Sequence, residues 1–156
     1  MSKLPVWQAA ITLGQRVYAM TKHLEFRRER SLRDQIERAA VSISNNIAEG
    51  FERGTTQELL TFLYIARGSA GEVRSMLCLI DGIPEFGDLK SQISNLKLEA
   101  EGISRQLRGW ADKLQNVGIK GQRYLDDKTR KREEAERDRQ NFLQELEAIR
   151  RRAASA

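Results

Sequence analysis

One cysteine, one histidine and two prolines in 156 residues each close off a class of answer. A lone Cys78 cannot form an internal disulfide, so burial of apolar side chains must hold the fold together. Structural zinc takes four ligands, mostly Cys and His, and Cys78 with His23 cannot supply them. Helical bundles that carry paired metals use Glu-x-x-His, but Met20 stands three residues before His23. No resident metal or cofactor is therefore expected. Phosphate-cradling Gly-x-x-x-x-Gly-Lys and Gly-x-Gly-x-x-Gly runs are also missing. No uninterrupted apolar run approaches the roughly 18 residues that cross a bilayer. The opening Met1-Ser2-Lys3-Leu4-Pro5-Val6 lacks the apolar stretch of a secretory leader, so a cytoplasmic protein is expected. No convincing period-two strand occurs either.

What the chain does have is apolar residues at alternating steps of three and four. One such line runs Val6, Ala10, Leu13, Val17, Met20, Leu24, and a second Leu32, Ile36, Ala39, Ile43, Ile47. A third begins at Leu59, Leu63, Ala66, Ala70 and continues through Val73, Leu77 and Ile80. The fourth begins at Ile93, Leu96, Ala100, Ile103 and continues through Leu107, Trp110, Leu114 and Val117. With 3.6 residues per helical turn, each line lies on one face. Four such helices joined by short breaks bury their faces together, so the expected fold is all-α, an antiparallel up-down four-helix bundle over residues 1–118.

Local signals set the expected boundaries. Pro5 suits a first helical turn, where its missing N–H would be unpaired anyway. The first helix is expected to reach Leu24, with His23 in its last turn. Ser31 is a candidate N-cap for the second helix and Gly50 a candidate C-terminus. Thr55 and Glu58 fit a capping box at the start of the third. The fourth is expected from about Asp88 to Val117.

Gly118 and Gly121 bracket a hinge, beyond which composition changes. Between Asp126 and Asn141 only Ala135 is apolar. Acid-before-base pairs at a spacing of four, such as Asp126/Arg130 and Glu133/Arg137, suit an exposed helix. Residues 119–156 therefore read as a charged, helical C-terminal arm, whose Phe142, Leu143, Leu146 and Ile149 give its end a small apolar patch. A frayed tail is the equal alternative.

Extra apolar faces point to self-association. Trp7, Ile11, Gly14 and Tyr18 form a second line on the first helix, rotated by about one residue, or ~100°, from the core line. Ile65, Met76 and Leu79 lie to one side of the third helix's core line. A monomeric bundle would place polar residues there. Trp7, Ile11, Tyr18, Ile65, Met76 and Leu79 are therefore the candidate oligomer interface, a wider core being the alternative. The Gly68-Ser69-Ala70-Gly71 run would admit close approach of another helix, within one bundle or between two.

No catalytic constellation emerges, and an enzyme is not expected. Cys78 lies beside a core line and reads as an inert buried thiol. Glu49 and Glu52 read as a solvated pair. Asn46 falls near a core position, where a buried amide would fix helix register.

The formal net charge is +5. Residues 1–118 hold 16 basic and 14 acidic side chains, and the arm 11 and 8. Arginines gather around the first connection and second helix: Arg27, Arg28, Arg30, Arg33 and Arg38, with Arg53 at the next break. These six are the candidate contacts to an RNA or DNA backbone. Repetition around a symmetry axis would strengthen their field. Without an aromatic platform, such binding would follow charge and shape more than sequence.

Several runs together resemble a known family. They are Val6-Trp7-Gln8-Ala9-Ala10, the stretch from Gln35 to Ile43, Asn46-Ile47-Ala48-Glu49-Gly50-Phe51, and the stretch from Phe62 to Ser69. This chain resembles the bacterial four-helix bundle family, or 23S rRNA-intervening-sequence proteins, over about residues 4–117. That family is similar in fold to the accessory variability determinant proteins of diversity-generating retroelements. The resemblance implies a homo-oligomer, a pentamer, without enzymatic activity, binding nucleic acid and a reverse transcriptase. The alternative it leaves is a stand-alone structural or interaction protein with no such partner. Two positions depart from the family pattern: Glu37 stands where a basic residue is frequent, and Ser44 where proline is.

Overall fold

The computed structural model describes residues 4–116 and residue 139. Apart from Arg139, the arm expected over 119–156 lies outside them, and so do its apolar patch and Val117. Among the described residues the chain is helical, with no strand. Five α-helices run in order: α1 Pro5–Met20, α2 Leu24–Arg28, α3 Arg30–Glu52, α4 Thr56–Asp81 and α5 Lys90–Asn116. A 3-10 helix, Pro84–Leu89, joins α4 to α5.

The four long helices correspond to the four apolar lines. α1 packs on α3 and α5, and α4 packs on the same two, which closes a ring around one core. Ala10, Leu13, Ile36, Ile43, Leu77 and Ile93 are each fully enclosed within it. Side chains also join the helices across their seams. The Arg16 guanidinium pairs with Glu99, tying α1 to α5. Thr21 Oγ1 donates to Glu37 Oε1 at 2.5 Å, tying the end of α1 to α3. A basic residue at position 37 would remove that acceptor. Ser44 keeps the backbone N–H that a proline would lack, and α3 runs unbroken for 23 residues.

Several boundaries differ from the sequence expectation. α1 stops at Met20, with Thr21 as its C-cap, so His23 lies outside it and precedes α2. The reason is Phe26, which is fully buried against Phe86 with ring centroids 4.7 Å apart. A short separate helix turns this ring inward to close the end of the bundle, and Leu24 is left 57% exposed. The basic connection is thus mostly helical. α3 begins at Arg30 after Glu29, which makes no side-chain cap, and Ser31 lies inside the helix.

Gly50 does not end α3. It is buried inside the last turn, two residues before Glu52, and a Cβ there would sit 2.7 Å from Phe62 Cβ and 3.2 Å from Leu59 Cδ1. Its role is close approach of α3 to α4. At the start of α4, Thr55 Oγ1 accepts from the Glu58 backbone N–H at 3.2 Å, as a capping box requires. The reciprocal contact differs: Glu58 Oε2 receives the Thr55 hydroxyl at 2.9 Å. Asp88 falls within the 3-10 helix, where Phe86 departs from helical geometry to reach Phe26.

Candidate functional site

The arginines around α2 and α3 are displayed by the packing just described. Phe26 anchors α2, which leaves Arg27 and Arg28 exposed in its last turn, where cations suit the helix dipole. Arg30 and Arg33 follow in the first turn of α3, so these four share one end of the bundle. Arg38 lies farther along the helix. Arg53 is the C-cap at the opposite end, about 30 Å from Arg33 at 1.5 Å per residue. The six candidates are therefore not one patch.

Their charge is also unequally available. Arg33 pairs with Asp34 at 2.9 Å, and Arg28 with Glu25 at 3.5 Å. Arg53 pairs with Glu49 at 2.5 Å and lies over the Phe62 ring, 5.0 Å from its centroid. Among the described residues Arg27, Arg30 and Arg38 have no ion-pair partner. α3 as a whole carries three arginines and four acids, a net charge of −1.

The candidate interface residues divide as well. Tyr18, Ile65 and Leu79 are exposed, at 45%, 46% and 60%. Ile11 is half-buried, and Trp7 is half-buried against the core. Met76 is not a surface residue: it is 9% exposed and belongs to the core cluster. It stands on the side of α4 that turns toward α3, one step beyond the apolar line, so the buried face is wider than the line suggested. Leu98, 67% exposed on α5, is a surface apolar residue outside the interface set read from the sequence.

Ile11 and Tyr18 border a depression of about 520 Å³ between α1 and α3, floored by Ala10, Gly14, Val41 and Ser44. A Cβ on Gly14 would meet nothing within 4 Å, so small residues keep this groove open. A more polar depression adjoins it over α3, lined by Arg38, Ser42, Asn45, Asn46, Glu49 and Glu72 among others. Within it, Asn46 Nδ2 donates to Ser42 O at 2.7 Å and to Ser42 Oγ at 2.9 Å. Ser42 Oγ in turn meets Ser69 Oγ of α4 at 2.9 Å. The amide thus supports an interhelical contact from a half-buried position. Ser69 and Ala70 pack within the bundle, while Gly68 and Gly71 face open space.

Cys78 is exposed, against the expectation of a buried thiol, because it stands on the solvent side of the α4–α5 seam. The seam's end is held by Lys97 Nζ, which donates to Asp81 Oδ2 at 2.7 Å. That bond holds the Asp81 carboxyl below its usual range and the Lys97 ammonium above its own. His23 Nδ1 is buried without a hydrogen-bond partner. Among the described residues no group of three or more His, Cys, Asp or Glu is placed to hold a metal ion. No helix among them is long and apolar enough to cross a membrane.

No curated protein matches the chain. A family model described as 23S rRNA-intervening sequence protein matches residues 2–109. The match spans α1 through most of α5. It includes the Asn46–Gly50 segment, where Asn46 supports the α3–α4 seam and Gly50 permits its close approach. On a match over more than two thirds of its 156 residues, the chain belongs to the 23S rRNA-intervening sequence protein family.

Proposed function

We propose that this protein is a non-enzymatic helical scaffold that assembles with copies of itself, a stand-alone member of its family. The observation that carries the reading is the open groove between α1 and α3, bordered by Ile11 and an exposed Tyr18 and floored by small residues. A bundle whose core is otherwise complete gains nothing from such a surface alone, whereas a second copy would bury it. Exposed Ile65 and Leu79 on α4 offer a different patch. Two unlike patches favour a head-to-tail ring, in keeping with the pentamer that the family resemblance implies. The antiparallel up-down order is supported by the pairing of Gly50 with Leu59 and Phe62, and of Ser42 with Ser69. The cytoplasm is the proposed location.

Light scattering of the full chain at micromolar concentration tests this reading. The expected mass is a small integer multiple of 17.9 kDa, and Ile11→Asp with Tyr18→Asp reduces it. A monomeric wild type overturns the reading. Native mass equal to protein alone is expected; a copurifying metal or small molecule would favour an enzyme.

Binding to a nucleic-acid backbone is the second reading, favoured by the unpartnered Arg27, Arg30 and Arg38. Affinity for structured RNA should fall steeply with salt. Contact at this end of the bundle would make Arg27→Glu with Arg30→Glu abolish binding and leave assembly intact. A reverse transcriptase partner, and with it a retroelement role, has no support in the family match. Copurification of a polymerase with the full chain is the observation that would bring it forward.

A further inference from the structure

α4 and α5 are pinned to one another near both ends of their contact. The Gln115 amide donates to the Tyr64 hydroxyl at 3.0 Å, and the Lys97 ammonium to the Asp81 carboxylate at 2.7 Å. Two pins set the register between them, because both helices rise 1.5 Å per residue. Counting inward from the first pin, Gly71 falls opposite Arg108 and Arg74 opposite Arg105; from the second they fall opposite Leu107 and Ser104, one residue away. Arg67 stands one turn before Gly71 on the same face. The seam between the pins therefore gathers four arginines, Arg67, Arg74, Arg105 and Arg108, against two carboxylates, Glu101 and Asp112.

These arginines are loosely held. Among the described residues neither Arg67 nor Arg74 has an ion-pair partner. Arg105 reaches Glu101 only at 3.6 Å and Arg108 reaches Asp112 only at 3.7 Å. Arg67 is half-buried along its stem, no protein acceptor meets its guanidinium, and its nitrogens stay open to solvent and to an incoming anion. Gly71 leaves the floor between them open, since a Cβ there would meet nothing within 4 Å. α5 also carries five cations against three anions, a net charge of +2, where α3 carries −1.

We propose that the α4–α5 face is a phosphodiester-binding track, with Arg67 and Arg74 as its anchoring contacts and Arg105 and Arg108 at its outer edge. It rests on the nucleic-acid reading above and places contact on a different face from the α2–α3 arginines. A guanidinium fork receives two phosphate oxygens at once, which suits an arginine with no carboxylate of its own. Arg67 and Arg74 lie two turns apart, about 10 Å along the helix, within the span of a few consecutive phosphates. The track reads charge and spacing, not bases.

The test is filter binding of the full chain to an RNA hairpin and to the DNA duplex of the same sequence, across a salt series. Arg67→Gln with Arg74→Gln is expected to weaken binding at least about tenfold and to make the slope of log K against log salt shallower by about 2. Loss on both probes identifies backbone charge as the ligand; loss on RNA alone identifies A-form geometry. Lys22→Gln with Lys113→Gln removes the same charge away from the track and should leave the slope close to wild type. Should the arginine pair fail to fold by circular dichroism, the exposed Arg105→Gln with Arg108→Gln carries the same expectation. An equal effect from the lysine pair, or a wild-type slope in the arginine variants, overturns the track. If Arg27→Glu with Arg30→Glu then abolishes binding, the nucleic-acid reading stands without it. A wild type that binds neither probe removes both.

Discussion

Replacing Gly50 with alanine sets two opposing effects against each other at one atom. Inside a helix, alanine is favoured over glycine by up to about 1 kcal/mol. The new Cβ would lie 2.7 Å from Phe62 Cβ, 3.2 Å from Leu59 Cδ1 and 3.4 Å from the Leu59 carbonyl oxygen. Phe62 Cβ is the root of its side chain and cannot swing aside, so α3 and α4 must part by most of an ångström. Overpacking of this kind costs about 1–3 kcal/mol. The net expectation is a loss of about 1 kcal/mol, or a Tm lower by about 4 °C. Gly102→Ala, inside α5 and away from the groove, is the matched reference, because it makes the same backbone change where a Cβ meets nothing within 4 Å. The propensity term cancels between the two variants, and the difference between their melts isolates the close contact. Both are melted at one protomer concentration, since assembly raises apparent stability by mass action. If Gly50→Ala melts at or above Gly102→Ala, the account of the α3–α4 seam is wrong.

Thr55→Ala should lower stability by about 1 kcal/mol in urea unfolding, and Thr55→Ser should restore it, because the hydroxyl accepts from the Glu58 N–H. The Asp81–Lys97 bond should leave a two-sided signature in Tm against pH. The Asp81 carboxyl is held below its ordinary 3.8, so its contribution is present above that pH and fades as pH falls through the lower, folded value. The Lys97 ammonium is held above its ordinary 10.5, so its contribution is present below that pH and fades as pH rises through the higher, folded value. Asp81→Asn should flatten the acid limb, and an unchanged limb would count against the bond. Leu107→Asp, at a position 1% exposed, places an unpaired carboxylate in the core and should abolish the cooperative melt seen by far-ultraviolet circular dichroism.

The long helices were legible because burial imposes a period. Val6 through Met20 and Ile93 through Leu107 recur at steps that only a helix can place on one side, and those residues are the ones enclosed. Helix ends were less legible because they depend on what the next element touches. Leu24 continues the first line in sequence, yet Phe26 wins the buried position by meeting Phe86, some sixty residues away. Gly50 looks like a terminator from its neighbours alone. Its actual constraint is the distance to α4, which no local pattern encodes. The Thr55 cap was readable because its partner lies only three residues on.

The surfaces were harder still, for a reason that bears on where binding should be sought. A run such as Arg27-Arg28-Glu29-Arg30 draws the eye because its charges are adjacent in sequence, but adjacency does not measure available charge. Arg33 is paired at 2.9 Å with its own neighbour Asp34, and Arg53 with Glu49 one turn away. Arg67 and Arg74 stand seven residues apart as isolated cations on a mostly apolar helix and attract no notice in the sequence. The helix register brings Arg105 and Arg108 to the same seam, where they meet Glu101 and Asp112 at 3.6 and 3.7 Å, while Arg67 and Arg74 have no ion-pair partner among the described residues. Coulomb attraction toward a phosphate depends on what remains after neighbouring anions have acted. By that measure the seam between α4 and α5 is a stronger candidate than α3, whose acids outnumber its arginines.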